Sequence, residues 1–281
     1  MKQQIAAWAK KIKNSSWVWD DVHSIGQHNH LSTLLQGLIP SQSKNLYGTH
    51  FIFNNQSNSN LGSDGYDNYQ APMSESGNPL FQRRMWVNGH LEYFGKGPQI
   101  NDLIRCIEKV KAVRTVGTSV FVTIDRDFAA SNGSTVLREL RTLVYTNELY
   151  QRRQIDKDPQ VVPSEEELVA EKQFLFSLND VRRFSSLSYN LHKIHSDVLY
   201  CHQENLANVI ASGPLLASLM LHYFSSIFPD VRIRSFKYRN SEPCYIDESL
   251  VMHVRKKGAN YEIDIVKDDR KLCGGIVVSN D

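Results

Sequence analysis

The most apolar helical face in the chain begins at Leu215. Leu215, Leu216, Leu219, Met220, Tyr223, Phe224 and Ile227 fall on one broad stripe, the spacing of a helix buried over most of its circumference. Downstream the period changes. Ala259, Tyr261, Ile263 and Ile265 alternate with polar neighbours, as in an antiparallel strand with one wet face. The runs 231–239, 244–255, 259–267 and 271–278 all read as strands. The first half repeats that order, with a helix over 29–38 and strands over 83–94, 103–115, 118–124 and 137–146. Each half is predicted to hold one hydrophobic helix and about four strands, an α+β arrangement in which a sheet must wrap so apolar a helix. The halves share element order, not sequence.

Two stretches lack periodicity. Residues 54–78 are loaded with Asn, Ser and Gly and read as a long loop. Residues 151–168 carry Pro159, Pro163 and the acidic run Glu165, Glu166 and Glu167, which suits an exposed linker between a unit over 17–150 and another over 169–281. Residues 1–16 stand apart. They hold Lys2, Lys10, Lys11 and Lys13 and no acid, and Ile5, Trp8 and Ile12 share one stripe. A basic, acid-free, amphipathic start suits a mitochondrial targeting segment, although arginine is absent; the alternative is an ordinary solvated first helix.

The 41% hydrophobic and 22% charged composition of these 281 residues is that of a globular chain with a real core. No run of about 18 apolar residues occurs, so no membrane-spanning helix is expected. Thirty-two basic against thirty acidic side chains, a formal charge of +2, offer no reason to propose nucleic acid as a partner. Cys106, Cys201, Cys244 and Cys273 lie far apart without a CxxC, as structural thiols would. With no GxGxxG after a strand and no P-loop, no nucleotide, flavin or metal cofactor is expected.

Candidate chemistry gathers at two places. Gly213-Pro214 marks a helix start, with proline at a position where its missing N–H costs nothing and Ser212 or Gly213 as the cap. Backbone N–H groups there, at the positive end of the dipole, suit an anion or oxyanion, although many such starts only begin helices. Residues 183–197 carry His192 and His195 three apart, followed by Asp197. On the residues alone this is a metal site lacking further ligands, a base with its orienting partner, or two surface histidines.

The pattern N-x-H-x-I-H-x-D over 190–197, followed by Ser-Gly-Pro-Leu-Leu-Ala-Ser-Leu over 212–219, resembles the MaoC-like hydratase/dehydratase group. It is most similar to the fungal mitochondrial 3-hydroxyacyl-thioester dehydratases type 2. Asp64-Gly65-Tyr66-Asp67-Asn68-Tyr69-Gln70, Gly77-Asn78-Pro79, Arg83-Arg84-Met85-Trp86, Gly89-His90-Leu91-Glu92 and Phe236-Lys237-Tyr238-Arg239 look like the same family. The resemblance implies a double hot-dog, two antiparallel sheets each curled around a central helix and fused as a pseudo-dimer, with catalytic residues kept in the second half only. It implies dehydration of a (3R)-3-hydroxyacyl thioester to the trans-2-enoyl thioester in mitochondrial type II fatty-acid synthesis, in the matrix. His195 would be the acid/base, the Gly213 N–H the oxyanion donor, and Asn190, where many relatives have Asp, would orient the hydroxyl or water.

His192 would orient the loop or bind substrate, Asp197 would fix the loop by hydrogen bonding or cap the next helix, and Trp86 would line an acyl tunnel or, as is commoner for an aromatic next to a strand start, sit in the core. The implied partner is an acyl carrier protein or a CoA thioester; oligomerisation is left open. Lys193, Arg182, Arg183, Arg232, Arg234, Lys237 and Arg239 would suit an acidic carrier if they rim the site, or else are solvated strand faces. The competing readings are an R-specific enoyl-CoA hydratase and a non-catalytic acyl-binding or scaffold protein. A thioesterase is disfavoured because Asn190 cannot activate water as an acid would.

Overall fold

The computed structural model describes residues 1–41, 47–55, 59–152, 167–268 and 270–280. The first half runs α1 (Lys2–Ile12), β1 (Ser16–Val22), α2 (Ile25–Leu38), a 3-10 turn (Thr49–Phe51), β2 (Arg83–Tyr93), β3 (Leu103–Val116), β4 (Ser119–Ala130) and β5 (Thr135–Thr146). The second runs β6 (Glu167–Phe174), α3 (Leu178–Leu187), a 3-10 turn (Lys193–His195), α4 (Val198–Gln203), α5 (Gly213–Ile227), β7 (Arg232–Asn240), β8 (Leu250–Lys257), β9 (Asn260–Lys267) and β10 (Arg270–Asn280).

All ten strands form one sheet, ordered β1-β3-β4-β5-β2-β7-β10-β9-β8-β6. Read outward from the β2–β7 seam, the two halves are mirror images in strand order. At the seam Gly89 faces Tyr238, and a β-carbon on Gly89 would lie 2.5 Å from the tyrosine ring. Only a glycine lets the two halves close there.

Among the described residues each half therefore has five strands rather than four. The additional ones, β1 and β6, are the outer edges, and most of β6 is exposed, so neither carries a clean alternation of apolar and polar positions. The expected linker falls largely on 153–166, outside the described residues, and its last two residues already belong to β6. The run expected as a strand from 244 joins the sheet only from Leu250, and before that Tyr245 makes a single bridge to Ile210.

The two halves also differ where a central helix in each was expected. Helix α5 is buried on nearly every side, as its composition requires. Helix α2 is not its counterpart: it follows β1 as α3 follows β6. Among the described residues of the first half, no helix lies between the 3-10 turn and β2. The Asn/Ser/Gly-rich stretch over 54–78 offers no apolar stripe with which a helix could pay for its order.

Other groups cover that half of the sheet. A buried row of charge crosses its inner face, Glu108 on β3 opposite Arg126 on β4, and Arg126 opposite Glu139 on β5. Arg126 Nε lies 2.7 Å from Glu108 and Nη1 3.1 Å from Glu139, while Nη2 donates to the Asn54 carbonyl at 2.7 Å. On one side of the row, Ile104, Cys106, Phe128 and Leu137 join the core around α2, α3 and α5. On the other, Val110, Val120, Val122, Ile124, Leu143 and Tyr145 are covered by Ile5, Trp8 and Ile12 of α1, with Ala71 and Phe81. The first helix is thus packed, with its lysines outward. Burying each of its three apolar side chains contributes about 1.5–3 kcal/mol.

Candidate active site

Helix α3 opens with a capping box between Ser177 and Asp180, and the chain turns sharply at Tyr189, whose φ is +52°. The Asn190 amide N–H donates to the Ser185 carbonyl at 2.8 Å, and the Asn190 side-chain oxygen accepts from the His192 N–H at 3.0 Å. That leaves the carboxamide Nδ2 with no partner within the loop. The next turn carries His195, and Asp197 then caps α4 by accepting from the Tyr200 N–H at 3.0 Å.

His195 is buried, and its Nδ1 sits 2.9 Å from the Ile210 carbonyl oxygen. A carbonyl can only accept, so the neutral ring carries its proton on Nδ1 and leaves the Nε2 lone pair free. Burial pushes the ring's pKa down to about 4, against a smaller upward pull from the Ile210 carbonyl. The imidazole is a neutral base at pH 7.

Gly213 stands in the first turn of α5, where its N–H has no intrahelical acceptor. Ser212 caps the helix by accepting from the Leu215 N–H at 3.4 Å. A β-carbon on Gly213 would lie 2.4 Å from Asn240 Nδ2 and 3.4 Å from the Trp86 ring. Asn240 is itself held, donating to the Trp86 carbonyl at 3.0 Å and accepting from Cys273 Sγ at 3.1 Å.

One cavity of about 470 Å³ is lined by His195, Asn190 and Gly213 together. His192 lines it too; Asp197 does not. The His192 and His195 rings are 5.5 Å apart. Burial first, then His195 and Arg84, hold the His192 pKa well below that of a free imidazole, and its Nε2 is 3.7 Å from Asp64. The first half supplies apolar wall, including Met85, Leu143 and Val144. Trp86 is part of that wall and also packs on the core, under the Arg141 guanidinium 4.5 Å from its ring.

Of the seven basic residues considered as a rim, only Arg239 lines the cavity, alongside Glu148, Glu204 and Glu242. Lys193 donates to the Ser63 carbonyl and Arg182 to that of Ser196. Among the described residues, no group of three or more His, Cys, Asp or Glu is placed to hold a metal ion.

Asp64, Gly65, Arg84 and Asn240 carry no role readable from sequence, yet all touch this site. Arg84, buried, forks onto Asp64 with Nε at 2.7 Å and Nη2 at 3.1 Å. The Lys193 N–H donates to the Asp64 carbonyl at 2.8 Å. Gly65, at φ +85°, lies so close to the Leu191 carbonyl that a β-carbon would be 2.4 Å from its oxygen.

Residues 48–246 match the family model of hydroxyacyl-thioester dehydratase type 2. The chain belongs to that family. The reaction of this dehydratase is the conversion of a hydroxyacyl thioester to an enoyl thioester, and it is a lyase. It is 29% identical over 252 residues to the mitochondrial hydroxyacyl-thioester dehydratase type 2 of Saccharomyces cerevisiae, covering 85% of this chain and 88% of that protein. It is 28% identical over 242 residues to the mitochondrial protein of the same description from Schizosaccharomyces pombe, covering 75% and 78%. The crystal structure of a MaoC-like dehydratase from Phytophthora capsici superposes with a TM-score of 0.68 at 15% identity, over 97% of this chain and 98% of that one. The dehydratase thus has the MaoC-like hot-dog fold, a sheet wrapped on a helix.

Proposed function

We propose that His195 carries both proton transfers in this dehydratase, with the Gly213 N–H as oxyanion donor and Asn190 holding the hydroxyl. The single observation behind this reading is the pairing of His195 Nδ1 with the Ile210 carbonyl, which frees Nε2 on the cavity shared with Gly213. Nε2 takes the C2 proton of a (3R)-3-hydroxyacyl thioester, and the electron pair moves into the thioester carbonyl. The enolate oxygen so formed is met by the Gly213 N–H at the positive end of α5. The enolate then collapses to the C2–C3 double bond while the C3–O bond breaks. The departing hydroxyl takes the proton from imidazolium Nε2 and leaves as water. Atoms and charge balance without a cofactor.

Asn190 Nδ2 donates to the C3 oxygen through this sequence; as an amide it orients and does not exchange protons. His192 and Asp197 act from behind, His192 by packing on His195 and Asp197 by capping α4. We read the fold as two hot-dog units fused at the β2–β7 seam, with catalytic groups only in 169–281. The unit over 17–150 has given up its central helix. The substrate is carried by an acyl carrier protein in mitochondrial type II fatty-acid synthesis, in the matrix, as the mitochondrial relatives suggest. CoA esters are the second reading.

The test is loss of the enoyl-thioester absorbance when wild type and His195→Ala are offered trans-2-enoyl-CoA or the carrier-bound ester in water. Loss with wild type alone supports the base, and the faster ester names the carrier. No loss with either ester and folded protein would sink the reading in favour of an acyl-binding role.

A further inference from the structure

The segment 190–204 holds the proposed base and the orienting amide, yet it is poorly made to hold itself. Its regular structure is one 3-10 turn and the six-residue α4, too short to be stable alone. The strand that opens with Arg83-Arg84 meets it at both ends. Neighbouring residues on a strand point to opposite faces, so the two guanidiniums leave β2 in different directions. Arg84 turns inward and satisfies the loop over 64–68, with two bonds to Asp64, one to Asn68 Oδ1 at 2.6 Å and one to the Asp67 carbonyl. That loop in turn receives the Lys193 N–H on the Asp64 carbonyl and seats Gly65 against Leu191. Arg83 turns the other way. It donates to the Asn147 carbonyl at 2.8 Å and pairs with Glu204, the residue that closes α4.

We infer that Arg83 and Arg84 are positioning residues, a two-point clamp through which the first half sets the geometry of catalytic groups that belong to the second. The inference rests on the proposed role of the 190–195 loop. Neither arginine moves a proton. Arg84 fixes the start of the segment through Asp64, and Arg83 fixes its end through Glu204. The fork matters as much as the charge at Arg84, since one planar guanidinium serves Asp64, Asn68 and Asp67, which a lysine ammonium cannot match.

The test uses full-length Arg84→Lys, Arg83→Gln, Glu204→Gln and the exchanged pair Arg83→Glu with Glu204→Arg. Hydration of trans-2-enoyl-CoA and amide hydrogen exchange over 190–204 are read on each. The clamp predicts that kcat falls at least about tenfold while KM stays within about threefold, that exchange over 190–204 quickens, and that the exchanged pair recovers part of kcat. Unchanged kcat in folded variants would reduce both arginines to a purely structural role, and a raised KM at constant kcat would make them substrate contacts; either overturns the clamp. Should Arg84→Lys fail to fold, the partly exposed Arg83–Glu204 pair still decides. An inactive wild type would sink the functional reading instead, and the exchange data would still test the clamp.

Discussion

His195 Nδ1 lies 2.9 Å from the carbonyl oxygen of Ile210, and that contact fixes which nitrogen is left to act as a base. Burial has already pushed the ring's pKa down to about 4. The working form is neutral, so activity is present above that pKa and lost as pH falls through it. The acid limb of kcat/KM, which reports the free enzyme, is expected near pH 4, with the fold followed in parallel by circular dichroism. A limb at the ordinary histidine value of about 6.5 would mean a solvated His195 ring or a different base.

Asn190 divides its carboxamide between two tasks. The oxygen accepts from the His192 N–H, and Nδ2 is left for substrate. Asn190→Ala removes the donor together with the loop's acceptor. It is expected to lose about 10²-fold in kcat, the usual cost of one positioned donor. Full turnover by this variant would show that the side chain only shapes the turn.

Gly213 has no room for a side chain. A methyl group would press on Asn240 Nδ2, which is pinned between the Trp86 carbonyl and Cys273. Gly213→Ala should cost about 1–3 kcal/mol of stability, as overpacking usually does. It should also displace the N–H and depress kcat beyond what the lost stability explains. Urea midpoints and steady-state rates on the same preparation separate the two. A variant with wild-type kcat would remove the oxyanion role.

Stability should fall on mild acidification. Burial lowers His23 to about 4, His50 to about 3 and His195 to about 4, whereas the unfolded chain titrates its histidines near 6.5. Below pH 6.5 the unfolded state binds more protons than the folded state, so stability is full above that pH and declines as pH drops towards 4. The urea midpoint is expected to be lower at pH 5.5 than at 7.5. His50→Gln should show a shallower decline; an identical slope would contradict the burial of that ring.

The row Glu108–Arg126–Glu139 gives a larger effect from one change. Arg126→Met leaves the buried Glu108 carboxylate without a cation, while Glu139 keeps Arg141 at 2.6 Å, and should cost about 3–5 kcal/mol. Adding Glu108→Gln should return much of it, by denaturant titration, since Glu139 stays paired with Arg141. No recovery would mean that shape rather than charge holds the row together.

What could be read from the sequence follows from how each element is stabilised. Helix α5 and strands such as β3 and β9 bury one face among their own residues, so their period is written locally. Strands β1 and β6 sit at the sheet edges, and β6 has almost no buried face of its own; their pairing comes from β3 and β8. Helix α3 was not foreseen, although Ser177 and Asp180 form its capping box locally. His195, Asn190 and Gly213 were legible because they sit in short motifs, and the structure gathers them on one cavity. Asp64 and Arg84 also sit in family-like motifs, but their roles, like that of Asn240, were not legible, because each acts on a partner far along the chain, as Arg84 does on a loop some 20 residues before it. The equivalence of α2 with α5 failed for a related reason: both helices are apolar, and only their place relative to β1, β6 and β7 tells them apart.

Helix α1 bears on the order of events in the life of the chain. Ile5, Trp8 and Ile12 are buried against the sheet, while the lysines remain outside. A receptor that recognises such a stripe competes with the sheet for the same three side chains. The stripe is legible to cellular machinery only before the first half folds, and folding erases it. A protease that removed the segment afterwards would uncover Val120, Val122 and Ile124 to water and leave a sticky face. Any reader of this stripe would have to act before the first half folds, whereas in the folded chain the segment is a lid over its own sheet.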